Sequence, residues 1–140
     1  MNRTFLCVLV LFCPVSFAFR LQSVAVKGTI MCGEEPLANV QIKLVDEDDG
    51  PDPDDVLEHG FTNEDGSFYL SGSERELTNI DPILKVYHDC NDYGIPCERK
   101  WRIGIPDKYI SEGRTPTVVF DMGFLNAEVE LEGETRDCVH

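Results

Sequence analysis

The stretch "VAVKGTIMC", Val24 to Cys32, alternates with a period of two. Val24, Val26, Gly28, Ile30 and Cys32 fall on one side, and Ala25, Lys27, Thr29 and Met31 on the other. Successive side chains of an extended chain point to opposite faces, so this run predicts a strand with one buried face. The same alternation returns at Val40, Ile42 and Leu44, and again at Leu84, Val86 and His88. Trp101, Ile103 and Ile105 repeat it until Pro106 stops the run. Late in the chain Leu125, Ala127, Val129 and Leu131 alternate with Asn126, Glu128, Glu130 and Glu132, predicting a terminal strand with an acidic outer face. Between "HGFT" and "SFYL", the turn "NEDG" from Asn63 to Gly66 predicts a hairpin whose glycine can take positive φ. No segment carries a helical stripe over three turns, and the best helical candidate is a short stretch around Ser73 to Leu77. About seven to eight such strands predict an all-β chain, an antiparallel Greek-key β-sandwich of two sheets.

The chain opens "MNRTFLCVLVLFCPVSFA". One basic residue, Arg3, precedes an apolar run from Phe5 to Cys13, followed by Pro14, Ser16 and Ala18, the order of a secretory signal peptide cleaved after Ala18. The run is far short of the ~20 residues that span a bilayer, so a membrane anchor is the weaker reading. The expected organisation is a leader over residues 1–18 and a single β-sandwich domain over 19–140, secreted and not membrane-spanning. The sequon at Asn2 leaves with the leader, and no other Asn-x-Ser/Thr follows, so N-glycosylation is not expected.

Secretion changes the reading of "VYHDCNDYGIPCERKW", Val86 to Trp101, where His88, Asp89 and Cys90 stand together as the parts of a thiol nucleophile or of a metal site. With the leader gone, Cys32, Cys90, Cys97 and Cys138 remain, an even number in an oxidising compartment, which predicts disulfides. A thiol in a disulfide is neither nucleophile nor ligand. Cys90 and Cys97 are also not spaced as a zinc knuckle, and adjacent His88 and Asp89 point to opposite strand faces. No catalytic residue, metal ligand or cofactor is therefore assigned, and His88 reads as a hydrogen-bonded core histidine. Four cysteines allow three connectivities. Reach and position favour Cys90–Cys97 as a short staple and Cys32–Cys138 as a tie between the chain ends.

The net charge of −14 excludes nucleic acid as a partner and disfavours a bare anionic membrane. A local basic patch, "ERKWR" with Arg99, Lys100 and Arg102 around Trp101, reads as a solvated strand face. From Asp46 to Glu58 eight of thirteen residues are carboxylates. Calcium is the sharper reading of that segment, but the EF-hand spacing fails, and the preferred one is an exposed loop held open by repulsion and by Pro51 and Pro53.

The segments "VAVKGTIMCGEEPLANVQIKLVDED", "TNEDGSFYLSG", "IDPILKVYHDCND", "PCERKWRIGIPDKYI" and "FDMGFLNAEVELEGETRDC" occur in an order that resembles the nematode transthyretin-like family of secreted proteins. "YHDC" followed by "IPDKYI" is the specific part; "DGSF" alone would be weak. The resemblance implies a transthyretin-like sandwich, secretion, and structural cysteines at the four positions named above. It further implies an extracellular, non-enzymatic binding protein for a small lipophilic ligand, a lipid or a cell-surface partner. The alternative version is a bridging adaptor that makes peripheral contact with phospholipid on cell surfaces, with Tyr93, Trp101 and Tyr109 as contact candidates. Hydroxyisourate hydrolases share the wider fold, but this chain ends "RDCVH" without their Tyr-Arg-Gly-Ser tail. His59, His88 and His140 also stand outside those enzymes' sequence contexts, so the enzyme reading is weaker.

Overall fold

The computed structural model describes residues 19–48 and 54–140. The leader read at 1–18 lies outside the described residues, as do 49–53 of the acidic segment. In chain order the strands are β1 (Arg20–Cys32), β2 (Glu35–Pro36), β3 (Gln41–Asp46), β4 (Asp55–Phe61) and β5 (Ser67–Glu76). They continue with β6 (Pro82–His88), β7 (Glu98–Gly104), β8 (Ser111–Glu112), β9 (Phe120–Asn126) and β10 (Thr135–Asp137). Seven of these have six or more residues, and the only helical piece among the described residues is a 3-10 turn at Asp107–Tyr109.

Two sheets result. In the first, β1 is the spine: β5 runs antiparallel along Arg20–Thr29, while β8 and β9 hold the opposite edge. The β9 pairing is parallel, with a bulge between Lys27 and Thr29, so the otherwise antiparallel architecture carries one parallel neighbour. The second sheet has the order β10-β7-β6-β3-β4 and is antiparallel throughout. Val24, Val26 and Ile30 from the first sheet meet Ile42, Leu44, Leu84 and Val86 from the second, all at most 1% exposed. Each such side chain stabilises the fold by roughly 1.5–3 kcal/mol relative to exposure, which is why the alternating faces select one register.

The NEDG hairpin forms as expected. Asn63 N–H donates to Ser67 O at 2.8 Å and Gly66 N–H to Asn63 O at 2.9 Å. Gly66 sits at φ +80, and a Cβ there would collide with the Ile30 carbonyl. At one lateral seam β4 and β5 close the sandwich, with Gly72 letting the Leu57 backbone approach.

Four expectations change. The stretch from Ser73 to Leu77 is not helical: Ser73–Glu76 continue β5, because their partners in β1 extend back to Arg20. The late strand stops at Asn126, and residues 127–134 form turns. The acidic segment is not one loop, since Asp46 ends β3 and Asp55–Glu58 belong to β4. The disulfides join Cys32 to Cys90 and Cys97 to Cys138 rather than Cys90 to Cys97 and Cys32 to Cys138. Strand order is the reason. Cys32 ends β1 and Cys90 follows β6, so that bridge ties the two sheets, with Cα atoms 5.8 Å apart. Asp137 of β10 pairs with Glu98 of β7, which sets Cys138 beside Cys97.

Candidate functional site

A gap lies between β7 of one sheet and β9 of the other. β10 covers only Glu98–Lys100 of β7, leaving Trp101–Gly104 as an edge that faces β9 of the other sheet. Residues 127–134 cross this gap and form, with β7 and β9, a groove of about 570 Å³. Ile103, Met122, Phe124, Leu125, Val129 and Leu131 line it, with Trp101 beneath them and Arg102, Asn126 and Glu132 at the rim. Phe124 is 80% exposed and Val129 52%, so both present apolar surface at the groove. Arg102 also forms an ion pair with Glu47.

The wall formed by 127–134 is fastened by Arg99. Alternation along β7 puts Arg99 on the inward face with Trp101, where it is 6% exposed. Its Nη1 donates to Cys90 O at 2.7 Å and Ala127 O at 2.9 Å, and its Nη2 to Val129 O at 3.0 Å. Nε and Nη2 grip the two oxygens of Glu134 at 3.0 and 2.8 Å. Trp101 Nε1 donates to the same carboxylate at 2.6 Å. The contacts from Arg99 and Trp101 hold the Glu134 carboxyl below its ordinary range despite the opposing effect of burial. The ERKWR patch is thus not a uniform solvated face: Arg99 and Trp101 point inward, while Lys100 and Arg102 point out.

His88 lies 1% exposed beneath this network. Its Nδ1 accepts the Cys90 N–H at 3.1 Å, and its ring meets the Trp101 edge at 5.1 Å between centroids. Burial, then the Arg99 charge, push its pKa down to about 4, so it is neutral at physiological pH. Asp89 points outward, and Cys90 is in a disulfide, so the His-Asp-Cys run does not assemble into one chemical group. His59 and His140 lie on the outer face of the second sheet, His140 stacked on Tyr87 at 4.2 Å. Of the three aromatic contact candidates, Tyr93 is 90% exposed, Tyr109 is half-buried against Phe120, and Trp101 is buried.

One further cluster lies at the far end of the β3–β4 hairpin. Asp46, Asp48, Asp55 and Glu76 each place a carboxylate oxygen within 4.8 Å of the others. The acidic segment was visible in sequence, whereas Glu76 was not, because it arrives from the other sheet. Phe124 and Glu134 likewise carried no signal. Arg99 was read with Lys100 and Arg102 as part of a solvated face, although its phase with Trp101 and Ile103 was a signal that could have placed it inward.

Among the described residues no helix is long and apolar enough to cross a membrane. The model of the transthyretin-like family matches residues 27–106. Transthyretin-like protein 33 of Caenorhabditis elegans is 47% identical over 119 residues, covering 85% of this chain and 83% of the relative. Transthyretin-like protein 46 of the same organism is 45% identical over 140 residues, covering 99% and 78%. Transthyretin-like protein 5 is 43% identical over 136 residues, covering 94% and 98%. With the two-sheet architecture and these matches along most of its length, the chain belongs to the transthyretin-like family.

Proposed function

We propose that this is a secreted, non-enzymatic extracellular binding protein that takes a small lipophilic ligand in the groove between β7 and β9. The observation that carries the reading is the groove itself: about 570 Å³ of concave, mainly apolar lining on a chain of net charge −14. Pockets for small molecules have that size and character, with a few polar groups at the mouth to orient the guest. Two disulfides favour an oxidising, extracellular setting, and the leader read at residues 1–18 would deliver the domain 19–140 there. The Arg99–Glu134 clasp pre-forms the wall, so binding need not order it first.

The test is a fluorescence titration of the secreted protein with cis-parinaric acid, with native mass spectrometry to read stoichiometry. A saturable one-to-one signal, weakened about tenfold by Phe124→Asp, is the expected result, corresponding to about 1.4 kcal/mol. Phe124 is exposed, so this change leaves the core intact. Absence of saturable binding, or equal binding by the variant, would sink the groove reading.

A further inference from the structure

We propose that Asp46, Asp48, Asp55 and Glu76 form a site for one calcium ion, which ties the β3–β4 hairpin of one sheet to the end of β5 in the other. The four residues converge by register. Asp46 closes β3 and pairs with Asp55, which opens β4. Asp48 lies two residues beyond Asp46, and Glu76 is the last residue of β5. Each offers one oxygen, all within 4.8 Å of one another. Calcium binds oxygen at about 2.3–2.6 Å, so oxygens on opposite sides of one ion are about 4.6–5.2 Å apart, and the cluster is the right size.

A second observation points to a ligand independently of the clustering. Asp46 is 1% exposed, and its Oδ1 accepts the Asp81 N–H at 2.8 Å. Its Oδ2 is buried and has no hydrogen-bond partner among the described residues. A buried carboxylate oxygen without a partner is costly, and proteins satisfy such groups with a proton, a base or a metal ion. Among the described residues Lys85 pairs with Asp54 at 2.8 Å, Arg102 pairs with Glu47, and Arg20 donates to Asn79 at 2.8 Å. An all-oxygen set favours a hard cation. Calcium tolerates irregular geometry better than magnesium, which demands a near-ideal octahedron. Backbone carbonyls and water complete such a shell in proteins. The inference stands apart from the groove, which lies on β7 and β9.

Isothermal calorimetry of the secreted, chelator-treated protein against calcium chloride tests it, with thermal unfolding in parallel. One saturable site is expected, with affinity in the ~10⁻⁴–10⁻³ M range of extracellular modules or tighter, and a Tm that rises with calcium but not with sodium chloride of equal ionic strength. Asp55→Asn is exposed and Glu76→Gln keeps its shape, so both variants should fold. Each is expected to weaken binding about tenfold or more, while Glu64→Gln, on the distant NEDG turn, leaves it unchanged. No saturable heat at millimolar calcium, or binding that both variants retain in full, overturns the site. An equal response to magnesium chloride overturns its assignment to calcium.

Discussion

Arg99 and Glu134, 35 residues apart in sequence, meet side by side through two near-parallel contacts of 3.0 and 2.8 Å, both side chains largely buried. This pair fastens the segment 127–134 to β7 and so gives the candidate groove its wall. The guanidinium also supplies carbonyls of Cys90, Ala127 and Val129, partners that a lysine could not reach in the same fork.

Removing one partner leaves the other charge buried without compensation. Arg99→Ala is therefore expected to destabilise the protein by about 3–5 kcal/mol in chemical denaturation. Arg99→Lys should lose much of the same stability. Lys100→Ala, next in sequence but joined to Asp137 at 3.6 Å near the surface, should cost under about 1 kcal/mol. Equal effects of Arg99→Ala and Lys100→Ala would contradict the burial of the clasp.

His88 gives the fold a defined acid sensitivity. Its pKa is depressed from near 6.5 to about 4, so between those values the unfolded chain binds a proton that the native chain refuses. Stability is full above pH 6.5 and falls as pH drops toward 4, by roughly 3 kcal/mol from this residue. Arg99, Glu134, Asp89 and Asp92 are the charged groups that act on it, and Arg99 opposes protonation. Glu134, itself depressed, adds a loss in the same direction at lower pH. Proton NMR of the His88 ring should show no titration near pH 6.5; a midpoint there would refute the assignment.

Peptide mapping under non-reducing conditions should recover Cys32 linked to Cys90 and Cys97 linked to Cys138. The bridges span 58 and 41 residues, so in the chain-entropy model each contributes about 4 kcal/mol. Double replacement of either pair by serine should lower stability by roughly 2–5 kcal/mol. Fragments linking Cys90 to Cys97 would contradict the strand order at the end of β6.

The β4–β5 seam predicts a sharp contrast between two glycines. A Cβ on Gly72 would lie 2.7 Å from Leu57 Cβ and 2.9 Å from its carbonyl oxygen. Gly72→Ala should therefore cost about 1–3 kcal/mol by forcing the seam apart. A Cβ on Gly104 would meet only Ile83 Cδ1 at 3.9 Å, so Gly104→Ala should be neutral or slightly stabilising. Thermal melts of the two variants decide it.

The all-β class, the inward faces of β1, β3, β6 and β7, the NEDG hairpin and the buried place of His88 were legible in the chain alone. Each depends on local periodicity or on a turn residue within a few positions, and the alternation of side chains is a property of a single strand. The helix read around Ser73 and the terminal strand after Asn126 failed for the complementary reason: whether a short run pairs depends on what lies beside it. Pairings between distant positions were hidden for the same cause. Cys32 meets Cys90, Arg99 meets Glu134, and Asp46 meets Glu76 because β1, β5, β7 and β10 take particular places in two sheets. Strand order reflects the burial of all faces at once, a sum over the whole chain that no single stretch contains.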